Sequence, residues 1–229
     1  MQLYDLAGAD PARRFSPFCW RVKLALAHKG LAVETIPWRF TDTAEIAFSE
    51  QGRVPVLVDG SKTIVDSWTI ATYLDDTYVE KPALFGGQAA APLTRFINTW
   101  TDRALHPALA PLILTDIYAH IHAKDREYFR TSREKMFGKS LEELSADRDS
   151  RVHNFRAVLE PLRSLLQVQE YLAGATPAYA DYIAFSAFQW ARCISPFRLL
   201  MDDDPVAHWR KRMLDACDGL ANDAVAYPV

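Results

Sequence analysis

Two β-branched runs flank Asp59-Gly60 in "VPVLVDGSKTIVDS", residues 54–67. An Asp-Gly step between such runs is among the strongest short-range signals for a tight antiparallel hairpin. Upstream lie the alternating run "QLYDL" (2–6), a helical stretch from Pro17, and the alternating run "AVETIPW" (32–38). That β-α-β order pairs its strands in parallel. A hairpin added to it forces a mixed sheet. In the first helix Phe18, Val22, Ala25 and Leu26 fall on one face, Ser16 is the expected N-cap, Pro17 sits in the tolerant first turn, and Gly30 stops the helix. "TDTAEIAFSE" (41–50) reads as a short helix with Thr41 and Glu45 bracketing a capped start. Asp66-Ser67 opens another, "SWTIATYLDDTY" (67–78), with Ser67 as N-cap and Ile70, Tyr73, Leu74 and Tyr78 on one face. The first eighty residues therefore spell β-α-β-α-β-β-α.

After Tyr78 the text changes. "VEKPALFGGQAAAP" (79–92) has a linker's proline, paired glycines and small residues. From Leu93 no strand pair is evident. "LTRFINTWTDRALHPALAPLILTDIYAHI" (93–121) is helical, with interruptions expected at Pro107 and Pro111. Residues 132–172 read as a long amphipathic stretch with a break at Gly138. "AYADYIAFSAFQWARCI" (178–194) is apolar almost all round, which predicts a buried central helix. The expected organisation is an α/β domain over 1–79, a linker over 80–91 and an all-helical domain over 92–229.

Over 229 residues the formal net charge is -3. Such a balance predicts neither a nucleic-acid partner nor a polybasic membrane anchor. No apolar run approaches the roughly 20 residues a bilayer span needs. "MQLYDLAGAD" carries no basic n-region of a signal peptide, and three scattered cysteines suit a reducing compartment. A cytoplasmic protein without a membrane partner is expected.

Three stretches, in order and spacing, resemble the cytosolic glutathione transferases. "SPFCWRVKLALAHKGL" (16–31) is similar to the active-site helix of zeta- and omega-like members, "RVPVLVDG" (53–60) to the loop whose valine-proline pair precedes the hairpin, and "VDSWTIATYLDDTY" (65–78) to the acidic-Ser start of the third helix. The S-P-x-x-W-[RK] and D-S-[WF]-x-I-A-x-Y-L-D patterns, with "KPALF", resemble more closely the class of bacterial lignin β-etherases and related fungal transferases. The resemblance implies a thioredoxin-like N-terminal domain that binds glutathione as co-substrate. It implies an all-helical C-terminal domain that completes a site for a small hydrophobic, aromatic electrophile, with aryl-ether cleavage among the activities. It further implies a homodimer and no metal.

Position 16 matches the family's catalytic position. A free thiol has a pKa of roughly 8.5, so a transferase must stabilise the thiolate of glutathione. The start of a helix and a serine hydroxyl both do so, the hydroxyl by donating a hydrogen bond. Serine is too weak an acid to serve as a base. Ser16 is thus the catalytic candidate, with simple capping as its other reading. Glutathione-binding candidates are Phe18, Arg39, Arg53, Val54, Pro55, Asp66 and Ser67. The resemblance implies a cis Val54–Pro55 bond and a Val54 backbone open to the cysteinyl unit. Ser67 and the free helix amides suit the γ-glutamyl carboxylate, and Asp66 suits its amine. Arg53 and Arg39, then Arg21, are candidates for the glycyl carboxylate.

Cys19 would be the resolving thiol of a redox pair, yet Ser16 leaves it nothing to resolve, so Cys19, like Cys193 and Cys217, reads as a packing residue. Trp100, His106, Tyr118, Phe129 and Met136 are candidates to line the electrophile site or the core. His120 and His122 are two apart and share no helix face, so they make no metal pair. In "PAYAD" Asp181 is present, but Ala178 holds the capping position and cannot accept a hydrogen bond, with Thr176 as a substitute cap. Two other functions stay open: a glutathione-dependent thiol transferase or reductase using Cys19, and a non-catalytic ligand-binding protein on the same scaffold.

Overall fold

A computed structural model describes residues 1–87 and 89–229. Its four-stranded sheet has the order β2-β1-β3-β4, built from β1 (Gln2–Leu6), β2 (Glu34–Trp38), β3 (Val56–Asp59) and β4 (Lys62–Val65). β1 and β2 are parallel, with Leu3 opposite Thr35, and the other two pairs are antiparallel. Gly60 turns the β3–β4 hairpin with a φ of +58°, a conformation that glycine adopts without steric penalty. The mixed sheet is as its strand order predicts.

Helix α1 (Pro17–His28) and helix α2 (Ser67–Thr77) pack side by side over the sheet. α1 buries an unbroken run from Cys19 to Leu26. No amphipathic stripe is visible there because the helix is covered twice, by the sheet and by the helical domain. Beyond residue 89 the described residues form helices: α3 (Ala90–Trp100), a π turn (Thr101–Leu105), α4 (His106–His120), α5 (Arg126–Phe137), α6 (Leu141–Ser145), α7 (Arg148–Val158), α8 (Glu160–Leu166), α9 (Tyr179–Ile194) and α10 (Pro205–Asp215). α9 is the central helix, buried at every position but Trp190, and α1 packs along it. The expected linker over 80–91 includes residue 88, which lies outside the described residues.

Several local expectations are corrected. The 43–49 segment is a 3-10 helix, and Thr41 does not cap it: its amide and hydroxyl both donate to Asp125 Oδ1, at 3.1 and 2.6 Å. Thr41 is spent on the helical domain instead. Pro111 does not interrupt the helix, since α4 runs through it, whereas at Pro107 the α-helical pattern is broken as expected, by the π turn just before it. Pro107 lies in the first turn of α4, where no intrahelical amide bond is lost, and Pro111 is buried, so packing overrides the bond lost there. The long 132–172 stretch breaks at Gly138 as expected, but also at Asp147 and ahead of Pro161.

At α9 the capping box survives in half. Asp181 Oδ2 accepts from the Ala178 amide at 3.2 Å, while the Asp181 amide donates to the Ala178 carbonyl at 2.9 Å in place of a side chain. Asp181 compensates by accepting from Leu172, Ala173 and the Trp209 indole. These bonds tie the loop before α9, and α10, to the central helix. Burial raises the Asp181 pKa, opposed by those same donors.

The two halves meet closely at the loop between β1 and α1. The Ala9 amide donates to the His120 carbonyl at 2.8 Å, and a Cβ on Gly8 would lie 2.8 Å from that same oxygen. Only glycine fits so near a backbone carbonyl. Among the described residues no helix is long and apolar enough to cross a membrane.

Candidate active site

The N-terminus of α1 carries the first candidates. Ser16 is extended, with φ -62° and ψ 122°, and its Oγ accepts from the Cys19 amide at 3.2 Å. It is the N-cap, as its position predicts. Because the cap uses Oγ as an acceptor, the hydroxyl proton remains available to donate elsewhere. Ser16 is buried, and Phe18, two residues on, is 37% exposed.

Phe18, Arg53, Val54, Pro55, Asp66 and Ser67 line a single groove of about 270 Å³. Three separate stretches of chain thus converge: the start of α1, the loop before β3 and the start of α2. The Val54–Pro55 bond is cis. Gln51 is a further lining residue that sequence reading missed. Its place two residues before Arg53 on the same loop was the available signal; its amide also reaches the Pro55 carbonyl at 3.4 Å.

Asp66, not Ser67, caps α2. Its Oδ1 accepts from the Trp68 and Thr69 amides at 3.1 and 3.0 Å and from the Thr69 hydroxyl at 3.2 Å. All three bonds fall on Oδ1, so Oδ2 has no protein donor among the described residues. Asp66 also has a φ of +70°, which for a non-glycine residue costs on the order of 1–3 kcal/mol and recurs at functional positions. Ser67 is the first helical residue instead. It is buried, and its carbonyl accepts from the Tyr179 hydroxyl of α9 at 2.7 Å, which fixes this corner to the helical domain.

Other candidates lie elsewhere. Arg39 is not on the groove; its Nε donates to the Gly8 carbonyl at 3.2 Å. Arg21 is fully buried, bonded to Ser186, Asn98 and Asp102 at 3.2, 3.0 and 2.7 Å, with its guanidinium 4.7 Å from the Phe18 ring centroid. It joins α1 to three parts of the helical domain and is no surface anchor for a carboxylate. Cys19 is wholly buried, its thiol 3.9 Å from the Tyr4 carbonyl, and burial together with Asp5 pushes its pKa far upward. Such a thiol is neither exposed nor ionised. Burial likewise raises Cys193, to about 11, and Cys217. Among the described residues no group of three metal-ligating side chains is present.

Of the residues considered for the electrophile side, Phe129 is core and Met136 is exposed. His106 is buried and does not line the groove; its ring packs edge-on behind Phe18, with centroids 5.5 Å apart.

A family model described as "Glutathione S-transferase, C-terminal domain" matches residues 92–215, and one described as "Glutathione S-transferase, N-terminal domain" matches residues 12–82. The chain belongs to the glutathione S-transferase family. The thioredoxin-like sheet domain and the helical domain are the two halves of the glutathione S-transferase fold. Glutathione S-transferase-like protein ustS of Aspergillus flavus is 24% identical over 83% of this chain and 80% of its own. Glutathione S-transferase 4 of Zea mays is 28% identical over 75% and 71% respectively. A glutathione S-transferase of Ceriporiopsis subvermispora, solved in complex with glutathione, superposes with a TM-score of 0.78 at 27% identity, covering 96% of this chain and 93% of that one.

Proposed function

We propose that the chain binds glutathione in the groove between the Pro55 loop and the start of α2, and activates its sulfur as a thiolate for attack on a small aromatic electrophile. The observation that carries this reading is the convergence of Phe18, Arg53, Val54, Pro55, Asp66 and Ser67 on one groove. The relative solved with glutathione supports it. In this reading residues 1–79 bind glutathione, 80–91 link, and 92–229 supply the electrophile side.

The γ-glutamyl carboxylate meets the Ser67 hydroxyl and amide at the start of α2, whose dipole favours an anion; the Trp68 and Thr69 amides are already held by Asp66. The γ-glutamyl amine meets Asp66 Oδ2. Val54 offers its main chain to the cysteinyl unit in the manner of an added strand. Arg53, exposed on the rim, takes the glycyl carboxylate. Ser16 donates its hydroxyl hydrogen to the sulfur, which favours the charged form and lowers the thiol pKa. The thiolate then attacks carbon. A C–S bond forms, and the leaving group departs with its electron pair, as halide or, in an aryl ether, as aryloxide. The runs at 16–21 and 66–75 and the "KPALF" segment support the β-etherase-like, serine-type class and make aryl-ether cleavage the first activity to assay. The exposed apolar side chains Phe48, Leu93 and Phe96 suit a homodimer, and the sparse free cysteines suit the cytoplasm.

The test pairs Ser16→Ala with Ser16→Asp. Both variants and the parent are assayed with glutathione against halogenated aromatics, isothiocyanates and β-aryl ethers, and the ultraviolet absorbance of the bound thiolate is followed against pH. Aspartate caps a helix as well as serine does, but it sets a carboxylate beside the sulfur. We expect both variants to lose roughly 10–1000-fold in kcat/KM and to raise the bound thiol pKa, Ser16→Asp more than Ser16→Ala. Unchanged activity in both would rule Ser16 out. Glutathione binding without turnover on any electrophile would favour a ligand-binding role.

A further inference from the structure

The π turn between α3 and α4 is flanked by two buried polar atoms that have no hydrogen-bond partner among the described residues, Thr101 Oγ1 and His106 Nε2. π turns inside helices recur at functional positions. An unpaired buried polar group is costly, so a native structure that keeps one calls for a reason.

His106 stands one ring behind the proposed glutathione groove. Its imidazole is edge-on to Phe18 on one side and to Trp190 on the other, at centroid distances of 5.5 and 5.7 Å. Its Nδ1 lies 3.6 Å from Asp102 Oδ1. That carboxylate also holds Arg21 at 2.7 Å and, through Oδ2, accepts from the Asn98 amide at 3.0 Å. The 3.6 Å separation from Nδ1 is no hydrogen bond, but an Nδ1 lone pair would face the Asp102 carboxylate, so the ring proton is assigned to Nδ1. Nε2 is then a bare lone pair. Burial and the Arg21 charge lower the imidazole pKa to about 3, so the ring is neutral near pH 7.

We propose that His106 selects the second substrate, with Nε2 accepting a hydrogen bond from a phenolic hydroxyl or N–H on an aromatic electrophile whose ring packs against Phe18 and Trp190. This inference rests on the glutathione reading of the adjacent groove. Phe18 lines the groove, is 37% exposed and packs on the His106 ring, so in this proposal it turns aside to admit the substrate, a rotamer change that exposed side chains make in picoseconds to nanoseconds. A substrate donor supplies the partner the protein withholds. A methylated or donor-free analogue leaves Nε2 unpaired, which is the kind of defect that gives strong discrimination. Electrophiles offering only acceptors, such as nitro groups, gain nothing at this atom.

Product analogues test this without requiring turnover. S-methylglutathione, S-benzylglutathione, the three S-(hydroxybenzyl)glutathiones and their methoxy counterparts are titrated calorimetrically against the parent, His106→Phe and His106→Gln. At least one hydroxybenzyl isomer is expected to bind about tenfold tighter than its methoxy counterpart. That ratio should fall to near one in His106→Phe. His106→Gln, which retains a side-chain acceptor, should recover part of it. S-methylglutathione, lacking the ring, should bind all three proteins alike and so reports that each variant is folded. If the conjugates bind and no isomer shows the preference, or His106→Phe keeps it, the proposal is overturned while the glutathione reading stands. If even S-methylglutathione fails to bind the parent, both fall together. Should His106→Phe fail to fold, the hydroxy-to-methoxy ratio in the parent and in His106→Gln still decides.

Discussion

Ser16 and Cys19 lie three residues apart at the start of one helix, and their surroundings separate their chemistry. Ser16 keeps a hydroxyl proton to give, whereas Cys19 is sealed between the helix and the sheet beside a buried carboxylate. That environment removes the main support for a redox role, which the missing thiol at position 16 had already weakened. His106 has a consequence of its own for stability. Its folded pKa is lowered to about 3 from the ordinary 6.5. Below about pH 6.5 the unfolded chain gains a proton that the folded chain refuses, so the stability this group contributes is full above that pH and is lost as pH falls toward 3. Urea midpoints at pH 7.5, 6 and 5 should therefore fall more steeply for the parent than for His106→Phe. Equal slopes would show that the ring is protonated in the fold. Residue identities at the groove were legible because caps and turn residues leave marks in sequence. The partners were not. Arg39 and Arg21 look like any surface arginine until the fold spends one on the Gly8 carbonyl and buries the other against Asp102.

Among the elements, α9 shows how a lost cap is made good. Ala178 supplies no side-chain acceptor, yet Asp181 gathers four donors from the preceding loop, the cap amide and α10. Asp181→Ala would strand those donors in the interior, and we expect a loss of about 3–5 kcal/mol in urea unfolding, by analogy with breaking a buried charged network. Ala178→Ser restores the missing half of the box and should add roughly 0.5–1 kcal/mol. No gain there would mean the extended backbone at 178 aims the hydroxyl away from the Asp181 amide. The order of elements along the chain, the mixed pairing, the hairpin and the central helix were readable from apolar pattern and turn residues, while the order of strands across the sheet was not. The π turn was not, because a one-residue widening leaves no mark in hydrophobic pattern. Of the interruptions expected at the two prolines, the one at Pro107 coincides with the π turn, and only the one at Pro111 is cancelled by tertiary packing.

At the scale of the whole molecule, the sheet domain and the helical domain are locked by buried contacts spread along the chain. α1 lies along α9, Arg21 reaches Asn98, Asp102 and Ser186, Thr41 reaches Asp125, and Tyr179 reaches Ser67. None of these pairings is visible in sequence, since each joins residues more than seventy positions apart. The tightest junction is Gly8 against the end of α4. Gly8→Ala should lower the urea midpoint by the equivalent of about 1–3 kcal/mol, because the obstacle is a backbone carbonyl with little room to yield. An unchanged midpoint would mean the loop can lift away freely.

That junction also bears on how such a chain can diverge. Position 8 and the last turn of α4 are tied sterically, so a change at one is felt at the other, although the backbone contact between them involves no side chain at either end. Any larger residue at 8 requires the β1–α1 loop or the end of α4 to give way. Substitution at this site is therefore gated by the loop itself or by helix geometry more than a hundred residues away in the chain.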